Sequence, residues 1–553
     1  FSTFAKADET TGERRDRRPL VCPMEHHELL PRSSQTDFAA LMFGMKAPSG
    51  GAVAPHAADQ QQAHARRQTI RGARSAESGK GKMADRKSKG KPATKKEKAS
   101  VMRNVASAVS VLALLWLWMS SRNGRLFVLA VLSVAGARAQ TVVEVGQYTF
   151  TYRVTAQGAE LGAGDVCAIS PRPSGVFEVP PEIGGHTVVA IGANAFADCE
   201  ELTKIKFPDS VTSIGVCAFY NCRKLTAIAI PERVSEIGLG AFFLCSSLQS
   251  VTIPKSVKVV PDWAFGRCFD LTSLQISSGV QTIGQGAFLG CDRLSAINLP
   301  ESVASIGDEA FKWCSNLRTA SIQGSVTELS RDLFAGCSSL QDVRLPQTVT
   351  VLHDGAFQWC STLKRIKVPD RTTSIGSCVF YGCRSLNDIE FPTGLRDVGR
   401  AAFSGCLALK NVRFNNGFMA VGEYAFYECA SLSDIFFPAS LTQIRDSAFA
   451  RCSGLTSMIL PPNLSIMEKC AFRECVGLRS VTLPVALTEI SDSAFEHCVS
   501  LSSINLPDSI TVIGTSAFAG CVELQNVTFG RSLIKIGWGA FCDCQSLYKL
   551  EFP

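Results

Sequence analysis

The chain has 553 residues, of which 46% are hydrophobic and 19% charged, with a formal net charge of +7 and 22 cysteines. The charge is localised: positions 66 to 98 hold thirteen Lys/Arg against three Asp/Glu, a local balance of +10 that leaves −3 for everything else. Because phosphate binding needs a net positive face, most of the chain is excluded as a nucleic-acid platform.

Residues 1–104 show no sustained apolar period. They contain Pro48-Ser-Gly-Gly51, Gln60-Gln-Gln62 and a basic run from Arg86 to Lys98. Such a composition cannot bury enough apolar area to offset chain ordering, so a disordered basic region is expected, one that the mature protein need not retain. The basic run fits a localisation signal or nucleic-acid tail, or more simply a solvated linker. The first residue is Phe, so the sequence is expected to be a fragment or an imperfect gene model.

Residues 105–139 hold two apolar stretches, 105–119 and 126–137, each shorter than the roughly 20 residues that span a bilayer. The second follows Arg122 and Arg125 and ends in Ala137-Arg138-Ala139. A basic start, an apolar middle and a small-residue exit are the three regions of a secretory signal. The expectation is a start at Met119 or Met102, cleavage before Gln140, and a secreted or cell-surface product. The competing expectation is a single membrane anchor over 105–137, and a cytoplasmic location follows only if 1–118 is retained in a soluble form.

Residues 140–186 lead into a repeat without belonging to it. Tyr148-Thr-Phe-Thr-Tyr-Arg-Val154 alternates as a strand does, and Val176-Phe-Glu-Val-Pro180 imitates the strand end of a repeat. The first coil of a stacked array exposes an apolar end and needs an atypical cap, the role expected here.

From 187 to 553 one unit governs the chain. Phe recurs at every twenty-third position from Phe196 to Phe541, with Cys three residues later and Leu six residues later in all sixteen units. Positions nine and eleven after each Phe are apolar and flank one free residue, so they share one face of a short strand. Pro follows in twelve of sixteen units and ends the strand, Ser277, Gln323, Asn415 and Gly530 being the exceptions. Ala-Phe-x-x-Cys is predicted to form one helical turn. The whole is predicted to be a solenoid of about sixteen coils, and the stop at Pro553, in mid-repeat, is read as an incomplete C-terminus. Stacked equivalents lie roughly 4.8 Å apart with parallel Cβ vectors, which disfavours disulfides. The cysteine column is therefore read as buried small hydrophobes with weak S–H donors.

The pattern Cys-x-x-Leu-x-x-Ile-x-[Ile/Leu/Phe]-Pro-x-x-Val-x-x-Ile-Gly-x-x-Ala-Phe-x-x-Cys resembles the leucine-rich repeat of the BspA-like, or Treponema pallidum, type. The resemblance covers about two thirds of the chain. It implies a curved solenoid with a short parallel β-sheet on the concave side and turns or short helical segments on the convex side. It further implies a non-enzymatic adhesion or protein-binding role at a cell surface, with no shared catalytic residues.

The outward strand positions vary freely over this frame, which is where recognition can live. Charges of both signs gather at Asp342, Arg344, Arg365, Lys367, Asp388, Glu390, Arg413 and Asp434, with Phe436 and Ile459 adding apolar area. An aromatic ringed by charge is the expected centre for a protein or glycan ligand. Sequons occur at Asn463 and Asn526. Enzymatic chemistry is not expected, because the seven His are scattered and no H-E-x-x-H, phosphate loop or G-x-S-x-G elbow occurs. No cofactor or metal is implied: Cys217, Cys378 and Cys470 share one repeat position but lie seven and four coils apart. The other function class left open is an intracellular scaffold with a basic tail.

Overall fold

The computed structural model describes residues 140–552 apart from 163 and 165, so the basic region 1–104 and the apolar segment 105–139 lie outside it. The described chain opens with β1 (Thr141–Val145), β2 (Tyr148–Val154), β3 (Ala159–Leu161) and β4 (Ile169–Ser170). β2 pairs antiparallel with β1, β3 and β4. The chain then passes through β5 (Gly175–Glu178), β6 (Glu182–Ile183) and β7 (His186–Ile191), and reaches β8 (Leu202–Lys206). β3 pairs parallel with β7, and β5 pairs parallel with β8. The region 140–186 therefore supplies a strand to the start of each ladder that the repeats continue.

Beyond β8 each coil contributes to two parallel ladders. In the first, Lys204 pairs with Ala227, Ser250 with Ser273, Asn298 with Ser321 and Arg413 with Phe436, always one repeat of 23 apart. In the second, Ile191, Ile214 and Ile237 follow one another, as do Ile490, Ile513 and Ile536. A Gly after the second strand keeps neighbouring backbones close: a Cβ on Gly238 would lie 2.3 Å from the Gly215 carbonyl carbon.

The third side of the coil departs from expectation. Ala-Phe-x-x-Cys forms a turn, not a helical turn. Residues two before and two after each Phe have positive φ, among them Asn194 (56°), Asp198 (58°), Trp313 (63°) and Trp359 (63°). The backbone explains this. Asn194, Phe196 and Asp198 donate their N–H groups to Val216, Ala218 and Tyr220 of the next coil at 3.0, 2.7 and 2.8 Å. A helix would consume those donors internally and leave the neighbouring coil's carbonyls unpaired.

The interior is one column per apolar position. Phe196 to Phe518 are fully buried, and Phe541 stacks on the last of them. Successive rings lie 4.9 to 5.8 Å apart and within 20° of parallel, the offset stacking that the ring quadrupole favours. Each column Cys from Cys222 to Cys544, one per coil, donates its S–H to the Phe carbonyl of the preceding coil, as Cys314 does to Phe288 at 3.3 Å. Among the described cysteines none is joined in a disulfide. Burial pushes Cys314, Cys383 and Cys475 up to about 12.

Candidate partner-binding site

Strand alternation turns the residues between the two inward positions toward solvent. Asp342, Arg344, Asp388, Glu390, Arg413, Asp434, Phe436 and Ile459 are exposed on their strands, while the residue between each pair is buried or partly so. Arg365 and Lys367 are likewise exposed around a buried Ile366. Phe436 is 75% and Ile459 77% exposed, unusual values for side chains of that size in a sheet.

The charges are ordered by coil. The outward pair Arg365 and Lys367 is cationic, and the outward pair of the next coil, Asp388 and Glu390, is anionic. Asn411 donates its Nδ2–H to Asp388 Oδ1 at 2.6 Å, so part of the anionic coil is tied to the coil after it. Arg344 Nε lies 3.8 Å from Asp342 Oδ2 within one coil.

Among the described residues, segment 364–368 is the one first-ladder position of the sixteen coils that forms no strand. The repeat register sets Lys367 opposite Arg344, a repulsive pair, but also Arg365 opposite Asp342 and Asp388 and Lys367 opposite Glu390, which attract, so cross-strand charge does not account for the break. A groove of about 560 Å³ opens beside this break, lined by Arg365, Lys367, Asp388, Glu390 and Arg413 together with Asp370 and Thr393. An adjoining hollow of about 330 Å³ is lined by Arg413, Asp434 and Phe436. Arg413 belongs to both, so seven of the ten expected residues form one continuous surface. Asp342, Arg344 and Ile459 line neither hollow and stand at its margins.

Two features of this region were not anticipated as part of the site. The groove floor includes Phe391, and the hollow includes Phe414. Beneath the face, Phe391 stacks on Phe418 at 5.5 Å, and Phe414 lies 4.6 Å from Phe418 and 5.8 Å from Phe437. The signal was present in the sequence: position eleven after the repeat Phe is itself Phe in three successive coils, at 391, 414 and 437. The cluster gives the charged face a stiff aromatic floor. Elsewhere, Cys217, Cys378 and Cys470 occupy the positive-φ position two residues before a repeat Phe. Among the described residues no group of three His, Cys, Asp or Glu has an arrangement suited to a metal ion.

Comparison with known proteins places this geometry. The family model for the BspA type leucine-rich repeat region matches residues 184–295, 258–381, 350–475 and 442–553. The chain is similar to a leucine-rich repeat protein from Bacteroides ovatus at 30% identity, over 74% of this chain and 92% of that one, with a TM-score of 0.55. It is also similar to a leucine rich cell surface protein from Faecalibacterium prausnitzii (25% identity, 75% and 95% covered, TM-score 0.38). A T. pallidum leucine-rich repeat protein matches at 30% identity over 39% of this chain and 87% of that one, with a TM-score of 0.30. Among curated proteins none matches significantly. The matched family is a repeat family and not a catalytic one. With the family model spanning the array from residue 184 to its last coil, and the 23-residue columns stacking as that repeat requires, the chain belongs to the BspA-type leucine-rich repeat family.

Proposed function

We propose that the chain is a non-enzymatic binding module, secreted or displayed at a cell surface, that grips a protein through the face carrying Arg365, Lys367, Asp388, Glu390, Arg413, Asp434 and Phe436. The observation that carries this reading is the gathering of charges of both signs and an exposed aromatic ring on successive coils beside the break in the strand ladder, where one continuous groove runs. The charges at Lys204, Lys206, Lys549 and Glu551 stand apart near the two ends of the array. The signal-like segment 119–139 supports export.

The order of charges constrains the ligand. Along the array the face presents cations, then anions, then Arg413, then Asp434 beside an exposed ring. Coils recur every 4.8 Å or so, close to the pitch of about 5.4 Å of an α-helix. A helix laid along the array would set one turn over each coil. It would place acidic groups over Arg365 and Lys367, basic groups over Asp388 and Glu390, and an apolar side chain over Phe436. A protein is favoured over a glycan because the run holds one well-exposed aromatic ring, and an extended sugar chain needs several to stack on.

The test is a side-by-side capture with the wild-type chain and the double variant Phe436→Ala/Arg365→Glu. Proteins held by the first and lost by the second, with no fall in melting temperature, are the expected result. Identical captures would rule this face out.

A further inference from the structure

Cys199 is the first thiol of the column and the odd one in it. Every later ladder cysteine from Cys222 onward gives its S–H to a Phe carbonyl one coil back. Behind Cys199 stands the cap, and its sulfur instead meets the Cys167 sulfur at 3.6 Å. Cys167 is half-buried, on the segment joining β3 to β4, and its sulfur also lies 3.4 Å from the Ala195 carbonyl oxygen. We propose that Cys167 and Cys199 form an oxidisable pair that closes into a disulfide between the cap and the first coil, while the rest of the cysteine column stays reduced.

Three features support it. A disulfide needs a sulfur separation of about 2.05 Å, so closing the present gap asks for about 0.8 Å of movement at each sulfur, within reach of side-chain rotation on the half-buried partner. The hydrogen bond from Cys199, helped by the nearby Arg172 charge, brings the Cys167 thiol down to about 7. Burial drives the ladder thiols the opposite way, and Cys268 and Cys291 are shut off from solvent altogether. Thiolate character and access, the two requirements for reaction, therefore coincide at Cys167.

The chemistry balances with a low-molecular-weight disulfide such as oxidised glutathione. The Cys167 thiolate attacks one glutathione sulfur, the glutathione S–S bond breaks, and one glutathione leaves as a thiolate that takes up a proton. Cys199 then gives up its proton and attacks the Cys167 sulfur of the mixed disulfide, releasing the second glutathione. Two protein thiols lose two electrons and two protons, and glutathione disulfide gains both. The product ties together residues 32 apart in sequence and holds the cap on the open end of the array.

The experiment uses the full chain, folded, in excess oxidised glutathione or in dithiothreitol. Free thiols are alkylated and the chain is cut after glutamate. The expected product of oxidation is fragment 161–178 linked to fragment 183–200, with two hydrogens lost, absent after reduction and absent in Cys167→Ser. The buried ladder cysteines from Cys222 to Cys521 should alkylate only after unfolding. Oxidation should also raise the melting midpoint of the wild type and leave that of Cys167→Ser where it was. Alkylation of both thiols in the oxidised folded chain would overturn the proposal, as would a bond from either to a third cysteine. Fragment mapping on the wild type decides the matter even if the variant folds poorly.

Discussion

The coils from Phe219 to Ser321 and those from Phe334 to Ile459 share one interior and differ outside. Both stack the same Phe and Cys columns at the same spacing. The earlier coils show the solvent Ala227, Ala229, Ser250, Thr252, Ser273, Gln275, Ala296, Asn298, Thr319 and Ser321, without one charge. The later ones show the alternating charges and the exposed ring. A solenoid separates the two demands by position: inward columns answer to stacking and are held constant, while the outward ones are free to diverge. A perturbation of the interior should therefore strike both regions alike, and one of the face should strike only the second.

The largest common perturbation is alkaline pH. Burial holds Cys314, Cys383 and Cys475 at about 12 against an ordinary 9.0. Below pH 9 folded and unfolded chains both keep these protons, so the thiols leave stability unaffected. Above it the unfolded chain ionises and the folded one does not, so stability falls as pH rises from about 9 to about 12, by roughly 1.4 kcal/mol per buried thiol per pH unit. The melting midpoint should be flat up to about pH 8.5 and then drop steeply, with both halves unfolding together. A reduced chain whose midpoint is still level at pH 11 would contradict the thiol column.

Next in size is a hole in the ring stack. Phe311→Ala in one region and Phe403→Ala in the other each remove a fully buried ring stacked on both sides. Each should cost about 3–5 kcal/mol in chemical denaturation. A difference of more than about 1 kcal/mol between them would mean that the interiors are not equivalent.

The sequence exposes such features unevenly, for physical reasons. The Phe, Cys and Leu columns were legible because an inward position repeated in parallel register admits few alternatives, and each repeat votes again. The lead-in 140–186 stood out in the sequence by the strand-like alternation around Phe150 and by Phe177, which lies in the strand column of Ile205 and meets the Phe196 ring edge-on at 5.7 Å. The turn around each Phe was not legible. Its conformation is set by hydrogen bonds to the next coil, and its positive-φ positions hold Trp263, Leu244 and Arg267 as well as Gly, so residue type hides it. The outward charges could be named from their columns, but not the groove, which depends on one segment leaving the ladder.

Smaller in energy, and confined to the second region, is the loss of the exposed ring. Phe436→Ala removes a side chain with little packing to lose, so stability should shift by under about 0.5 kcal/mol. Partner affinity should fall by about 2 kcal/mol, roughly thirtyfold. Thr252→Ala, the matching outward position in the neutral region, should leave affinity unchanged, and equal losses from the two substitutions would dissolve the distinction between the regions.

The smallest effect sharpens the comparison most. Arg344 stands at the margin of the charged surface, lining neither hollow, and pairs loosely with Asp342 at 3.8 Å. An ion pair this exposed contributes between about 0 and 1 kcal/mol, so Arg344→Ala should barely move the melting midpoint. Its charge nevertheless adds to the field that a charged ligand meets on approach, and such rim charges act on encounter more than on residence. In binding kinetics the variant should associate more slowly at low salt and dissociate at the wild-type rate, and the difference should vanish as salt shortens the screening length to about 3 Å near 1 M. A change confined to dissociation would move Arg344 from the margin into the contact itself, and the boundary of the binding region would then lie one coil nearer the cap.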